Sequence, residues 1–183
     1  MSKLAASAMN VVDGVTFMNK EAYEKVISFI RSSKWLTKGV WGLSKVLPLL
    51  MAALYCAGCL VLIIMRHSMT FKFLAVPAFV FIFVTIFRKI INRKRPYDAL
   101  GYQPLLSYEP GKGKSFPSRH TASAFVIAFA FWWICPWIGI LLTIGAAGVA
   151  ISRVVAGMHY ISDVLAGLTL SLVSAFLGYY LLP

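Results

Sequence analysis

The stretch SRVVAGMHYISD, residues 152–163, joins two apolar segments and places a cation, an imidazole and a carboxylate between them. Ionisable side chains are costly beside lipid, so such a cluster in an apolar chain indicates a functional site. If the segment from Tyr160 onward is helical, His159 and Asp163 form an i, i+4 pair on one face. The carboxylate can then hold one ring nitrogen and leave the other free as a nucleophile, while Arg153 holds the attacked anion. The structural alternative is an arginine at a helix end beside a capping histidine and aspartate.

The composition of the chain indicates a membrane protein that faces phosphate groups, either of lipids or of a substrate. Of its 183 residues 60% are hydrophobic, the mean hydropathy is +0.78 and the formal net charge is +12. A soluble domain is less apolar, and this much positive charge suits lipid head groups or an anionic substrate. Nucleic acid is not expected as a partner, because the charges are interleaved with apolar segments instead of lying along one soluble face. The three cysteines form no disulfide framework or zinc motif.

Segment lengths predict an all-α integral membrane bundle with about five transmembrane helices, since about 20 residues cross the hydrocarbon core. The predicted spans are residues 46–65, 73–91, 119–134, 137–152 and 160–182. An amphipathic helix over residues 19–38, with Asn19 as its N-cap, precedes them. We expect this helix to lie in the membrane interface with its basic face toward anionic head groups. Residues 1–183 are expected to form one domain, with the interfacial helix at 19–38 and the bundle at 46–182.

Alternation of these spans places three polar segments, residues 88–96, 117–120 and 153–163, on the same membrane face. In the first segment Arg88 and Arg95 lie seven residues apart, so they share a helix face and could clamp one phosphate. A basic run that merely stops translocation is the alternative for this segment. A bundle of helices could bring the three segments into one site.

The second segment has the features of an anion site at a helix N-terminus. Pro117 and Ser118 precede the third predicted span, where free backbone N–H groups and a hydroxyl would face a phosphate. His120, just inside the helix, is a candidate proton donor. A neutral histidine at a helix start is the structural alternative, and a second histidine on the same face weakens it.

These three segments resemble the signature motifs of the type 2 phosphatidic acid phosphatase family. The motifs are Arg88 through Pro96, Pro117 through His120, and Ser152 through Asp163, and the resemblance covers roughly residues 70–180. The third motif matches at every fixed position. Arg88 stands where the family usually has lysine, and its planar fork differs from a lysine point charge. Arg119 stands where glycine is common, which bears on access or head-group preference.

The resemblance implies a metal-independent mechanism with no cofactor and two chemical steps. His159 would attack phosphorus to form a phosphohistidine, with Asp163 fixing the tautomer of its ring. His120 would protonate the leaving oxygen and then activate water. The phosphoryl oxygens would be held by Arg88, Arg95, Ser118, Arg119 (through its backbone) and Arg153.

The implied function is an integral-membrane phosphatase acting on a lipid phosphate or pyrophosphate monoester, with membrane lipids as its surroundings. Undecaprenyl pyrophosphate, phosphatidylglycerophosphate and phosphatidic acid are the candidate substrates. A lipid phosphotransferase and a non-catalytic lipid-phosphate binding or transport protein are the alternatives. The sequence gives no indication of the oligomeric state.

The expected location is the cell membrane, as a multi-pass protein. The orientation has two conflicting indications. Of the 18 lysines and arginines, only Arg66 and Lys72 fall on the face opposite the motifs, which favours a cytoplasmic site. Relatives of this kind usually work on the outer face, so both orientations stay open.

Overall fold

The computed structural model describes residues 18–107, 110–111 and 113–181, and this part of the chain is built of helices without a strand. The helices are α1 (Lys20–Arg31), α2 (Lys34–Trp41), α3 (Leu47–Ile64), α4 (Thr70–Ile91), α5 (Pro96–Leu100), α6 (Arg119–Ile134), α7 (Pro136–Val155) and α8 (Ile161–Phe176). Two π-helical turns, Gly42–Val46 and Leu177–Leu181, join α2 to α3 and extend α8. The predicted end of the last span at residue 182 lies outside the described residues.

The chain is a multi-pass membrane protein with the predicted all-α bundle. Within the described residues, four helical stretches are long and apolar enough to cross a membrane: Lys34–Ile64, Thr70–Leu100, Pro136–Val155 and Ile161–Leu181. The predicted third span, α6, has only 16 residues and a length of about 24 Å at 1.5 Å per residue. It is the central helix of the bundle and packs against α3, α4, α7 and α8.

Small residues explain how α6 can pack against four neighbouring helices. Ala124 and Ala128 are buried on this helix, and small side chains let neighbouring helices approach closely. At Gly167 of α8, an added Cβ would lie 2.9 Å from the carbonyl oxygen of Ser118. The start of α6 and the first half of α8 therefore meet backbone to backbone.

The N-terminal amphipathic segment differs from the single helix expected over residues 19–38. Asn19 caps α1 as predicted, since its Oδ1 accepts from the N–H of Ala22 at 2.9 Å. The helix ends at Arg31, however, and Ser33 caps a new helix, because its extended backbone lets Oγ accept from the N–H of Leu36. Helix α2 then continues through the π-helical turn into α3. The first membrane helix thus begins at Lys34, about twelve residues earlier than the predicted start at residue 46.

The apolar face of α1 is covered by protein. Tyr23 and Ile27 pack in one buried cluster with Tyr97, Tyr102 and Met158, and the Tyr23 and Tyr102 rings stack 5.2 Å apart. The partners come from the α4–α6 connection and from the turn before α8. Helix α1 therefore lies over the end of the bundle where the three polar segments meet, and its placement at the membrane interface stays a prediction.

Candidate active site

His159 lies in the short turn between α7 and α8, and the shape of this turn depends on Gly157. Gly157 has φ of +71°, and an added Cβ would lie 2.8 Å from the ring of Tyr102. Only glycine fits such a position without strain. The turn brings Nδ1 of His159 to 3.2 Å from Oδ2 of Asp163, and both side chains are buried. The i, i+4 pair expected from the sequence is thus in contact.

The Asp163 carboxylate is surrounded by donors. Oδ1 accepts from Nη1 of Arg93 at 2.9 Å, and Oδ2 accepts from Ser115 Oγ, from the N–H of Tyr160 at 3.0 Å and from His159 Nδ1. Arg93 is 3% exposed, and its guanidinium lies 4.0 Å from the centre of the Tyr160 ring. A carboxylate that already accepts these bonds has no proton to give, so Nδ1 of His159 carries the hydrogen and Nε2 keeps its lone pair.

Burial is the main influence on the ionisation of His159. It lowers the pKa of His159 to about 4, against the opposing effect of the hydrogen bond and charge of Asp163. The positive charges of Arg95 and Arg88 contribute to this lowering of the pKa. The imidazole is therefore neutral above about pH 4, which is the form that a nucleophile needs.

The three predicted phosphate-binding arginines outside α6 are each held by a backbone carbonyl. Arg88 Nη1 donates to the carbonyl oxygen of Pro117 at 3.1 Å, and Arg95 Nε donates to that of Gly113 at 3.4 Å. Arg153 Nη2 donates to the carbonyl oxygen of a residue in the π-helical turn, Ser44, at 2.8 Å. One tether fixes each side chain and leaves further N–H groups for a ligand, since a guanidinium carries five donors.

These arginines lie close enough to one another and to the histidines to interact electrostatically. Arg88 interacts with the positive charges of Arg95, Arg119 and Arg153, and His120 interacts with those of Arg153, Arg119 and Arg88. The predicted cationic residues from α4, the N-cap of α5, α6 and α7 therefore form one positively charged group. Arg95 follows the end of α4 at Ile91, so it does not share a helix face with Arg88 as expected from the sequence. Because the buried carboxylate of Asp163 is already bonded, the positive charges of these arginines remain available to attract an anion.

The backbone N–H of Ser118 is not free, although the sequence led us to expect this. Its backbone N–H, expected to be free, donates to the carbonyl oxygen of Asp163 at 2.9 Å, and its Oγ accepts from Thr121 Oγ1. This bond ties the start of α6 to α8. The N–H groups of residues 119–121 have no acceptor within the described part of the chain, so the first turn of α6, which includes the half-buried His120, still presents free donors.

Sequence reasoning missed several residues that support the site. Arg93 and Ser115 hold Asp163, the Tyr23 hydroxyl donates to the carbonyl oxygen of His159 at 3.3 Å, and Ser44 Oγ donates to Ser152 Oγ at 2.9 Å. Ser44 lies in a π-helical turn, a feature often found at functional sites. Arg93 could have been found from the sequence, because it lies within the basic run at residues 88–96. Ser44 could not, because its partners lie more than 100 positions away in the chain.

No group of three or more histidine, cysteine, aspartate or glutamate side chains suited to a metal ion occurs in residues 18–107, 110–111 and 113–181. The polar side chains gathered here are mainly cationic donors. The chemistry that the arrangement offers is the binding of an anion beside a neutral imidazole.

Comparisons with known proteins bear on the family and the fold of the chain. A family model described as the PAP2 superfamily matches residues 69–183. Among solved structures, the chain is similar to a transmembrane PAP2-type phosphatidylglycerolphosphate phosphatase from Bacillus subtilis. The TM-score is 0.65 at 22% identity, over 96% of this chain and 92% of that one, a likeness that establishes the fold. A search of curated proteins gave no significant match.

Proposed function

The chain belongs to the PAP2 superfamily as a multi-pass membrane phosphatase, and from this premise we propose that it hydrolyses a lipid phosphate or pyrophosphate monoester through a phosphohistidine on His159. The observation that carries the proposal is the contact between His159 Nδ1 and Asp163, which leaves Nε2 unprotonated. Phosphatidylglycerophosphate, undecaprenyl pyrophosphate and phosphatidic acid are the candidate substrates.

In the first step Nε2 of His159 attacks phosphorus and forms an N–P bond. The bond between phosphorus and the leaving oxygen breaks, its electron pair stays on that oxygen, and His120, protonated once the anionic substrate is bound beside it, supplies the proton. Asp163 stabilises the imidazolium that forms, because its carboxylate bonds the other ring nitrogen. Arg88, Arg95 and Arg153 stabilise the negative charge that shifts onto the phosphoryl oxygens, together with the backbone N–H groups in the first turn of α6.

In the second step water attacks phosphorus from the side that the leaving group has vacated. His120, now neutral, takes the proton of the water, the N–P bond breaks, and its electron pair returns to Nε2 of His159. Inorganic phosphate leaves, and both histidines regain their starting protonation states. The products are one lipid alcohol or lipid monophosphate and one phosphate.

The test uses the purified full-length chain in detergent, with EDTA present. Phosphate release is measured with the three candidate lipids, for the wild type and for His159→Ala and His67→Ala. His67 is the matched control, since it lies in the α3–α4 connection and bonds only locally, to the N–H of Met69. We expect His159→Ala to lose activity by about a thousandfold or more and His67→Ala to keep it.

A second measurement separates catalysis from mere binding. With a phosphate ester of a weakly basic leaving group, the first step needs no acid, so His120→Ala should accumulate an acid-labile phosphoenzyme that His159→Ala never forms. Full turnover in His159→Ala would contradict the mechanism. Folded protein that turns over none of the lipids would favour a binding role instead.

A further inference from the structure

An apolar groove leads along α6, between α3 and α4, to the candidate active site. It consists of two cavities of about 520 Å³ and 250 Å³ that share Ala52, Phe81, Ser123 and Ile127 in their walls. The larger cavity reaches Phe71, ten residues and about 15 Å along α4 from Phe81. The smaller one reaches Arg119 and His120. An apolar channel that ends in polar groups suits a molecule with a hydrocarbon chain and a charged head.

Arg119 stands where this groove meets the site. Its exposed guanidinium lies 5.7 Å from the centre of the Phe81 ring, and within the described residues it makes neither an ion pair nor a hydrogen bond. In this it differs from Arg88, Arg95 and Arg153, each of which bonds a carbonyl oxygen. The ring keeps the guanidinium beside the groove by a cation–π contact and leaves its N–H groups available.

We infer that the Arg119 side chain is a specificity-determining group that binds the second phosphate of a lipid diphosphate. The inference rests on the proposed function and goes beyond it by naming the head group. In a lipid diphosphate the second phosphate lies between the attacked terminal phosphate and the hydrocarbon chain. If the terminal phosphate lies beside His159 and the chain lies in the groove, the second phosphate falls at the groove mouth, where Arg119 stands.

The chemistry gives this contact a role in the reaction. When His159 attacks the terminal phosphorus, the bond to the bridging oxygen breaks and the electron pair stays on that oxygen. The bridging oxygen becomes a terminal oxygen of the lipid monophosphate, so negative charge grows on the second phosphate to the extent that bond breaking precedes proton transfer from His120. A guanidinium bonded to that phosphate stabilises the transition state more than the ground state. A lipid monophosphate has no second phosphate for Arg119 to hold.

The experiment compares two substrates that differ by one phosphate, farnesyl diphosphate and farnesyl monophosphate. The kcat/KM for phosphate release from each is measured with the full-length chain in detergent, for the wild type, Arg119→Gly and Arg119→Lys. Arg66→Gly is the matched control, because Arg66 is an exposed arginine in the α3–α4 connection, at the end of α4 remote from Arg88. Size-exclusion profiles and helical circular dichroism check folding.

The readout is the ratio of the diphosphate kcat/KM to the monophosphate kcat/KM. We expect Arg119→Gly to lower this ratio about ten- to a hundredfold, the range for one charge-assisted hydrogen bond. Arg119→Lys should retain part of the ratio, and Arg66→Gly should leave it unchanged. An unchanged ratio in Arg119→Gly, or a wild type that prefers the monophosphate, would overturn the inference and leave the proposed function standing. Wild-type protein that hydrolyses neither these substrates nor the candidate lipids would refute both.

Discussion

At the scale of single residues, Asp163 links three separate parts of the chain. Its carboxylate accepts from Arg93 after α4, from Ser115 before α6 and from His159 and Tyr160 at the start of α8. Because both oxygens are occupied, the carboxylate cannot rotate and His159 has a single tautomer. The orientation of the proposed nucleophile therefore depends on residues that lie outside the signature motif in which it stands.

The lowered pKa of His159 predicts an acid limb of kcat/KM near pH 4 instead of near the ordinary value of 6.5. Arg95 lowers this pKa through its positive charge, so Arg95→Met makes protonation easier and should move the limb to higher pH. The neutral, reactive form is then lost earlier as the pH falls. The measurement is kcat/KM between pH 3.5 and 8, with exposed Lys25→Met as control. A wild-type limb at 6.5 would contradict the assignment.

The buried ion pair between Arg93 and Asp163 predicts a large loss of stability when one partner is removed. Arg93→Gln leaves Asp163 as an uncompensated buried charge, which costs about 3–5 kcal/mol and should lower Tm in detergent by about 6 °C or more. The control is Lys20→Gln in the exposed Lys20–Glu24 pair, whose atoms are 3.9 Å apart. This variant should change Tm by about 1 °C or less. Equal Tm losses in the two variants would refute this argument.

At the scale of helices, the prediction from sequence succeeded where a pattern is local. Apolar runs of membrane-spanning length gave α4, α6 and α7 to within three residues, and Asn19 marked the start of α1. The membrane helix that contains α3, however, begins about twelve residues before its predicted start. Motif spacing placed His159 opposite Asp163. The break between α1 and α2 could also have been predicted locally, because serine is a preferred N-cap and Ser33 stands at the start of α2. The basic amphipathic pattern continues past this point, however, and suggested a single helix.

The remaining contacts join residues distant in sequence, and no periodicity marks them. Ser44 holds Arg153 across 109 positions, and Tyr23 holds the carbonyl oxygen of His159 across 136. The bond between the N–H of Ser118 and the Asp163 carbonyl follows from how closely α8 approaches α6. Such pairings depend on the assembled packing of the helices and could not be derived from any one segment.

The close approach of α8 to α6 predicts that Gly167 has no tolerance for a side chain. Gly167→Ala places a methyl group 2.9 Å from the carbonyl oxygen of Ser118, a backbone atom, so the helix start must move. Overpacking of this kind costs about 1–3 kcal/mol, and we expect lower Tm together with lower kcat. The matched control is Gly39→Ala in α2, where no atom lies within 4 Å of the added Cβ. An intact Gly167→Ala enzyme would contradict the proposed packing.

At the scale of the whole molecule, α1 and the candidate site lie at one end of the bundle. The Tyr23 contact to His159 fixes this, whichever side of the membrane that end occupies. The α3–α4 connection lies at the other end, because α4 runs from Thr70 to the site segment after Ile91. A single membrane crossing by α2 and α3 thus separates α1 from that connection.

This arrangement predicts labelling from opposite sides of the membrane. Exposed Ser28 in α1 and exposed Ser68 between α3 and α4 are each changed to cysteine in a background with Cys56, Cys59 and Cys135 replaced by alanine. A membrane-impermeant maleimide applied to sealed vesicles should label one of the two, and the other only after permeabilisation. The side that labels Ser28→Cys is also the side of the site. Labelling of both from one side would refute the crossing.

The anchoring of the site by Tyr23 and Ser44 limits how far the signature motifs can serve as a transferable module. Both residues precede the segment that matches the PAP2 superfamily, which begins at residue 69, yet they bond His159 and Arg153. A chimera that joins another protein's N-terminal part to this chain at residue 69 would keep every signature residue. It would lose Tyr23 and Ser44, which bond His159 and Arg153. We therefore expect the smallest portable unit that keeps this site intact to begin with α1, and engineering that grafts the motifs would need to include these N-terminal supports.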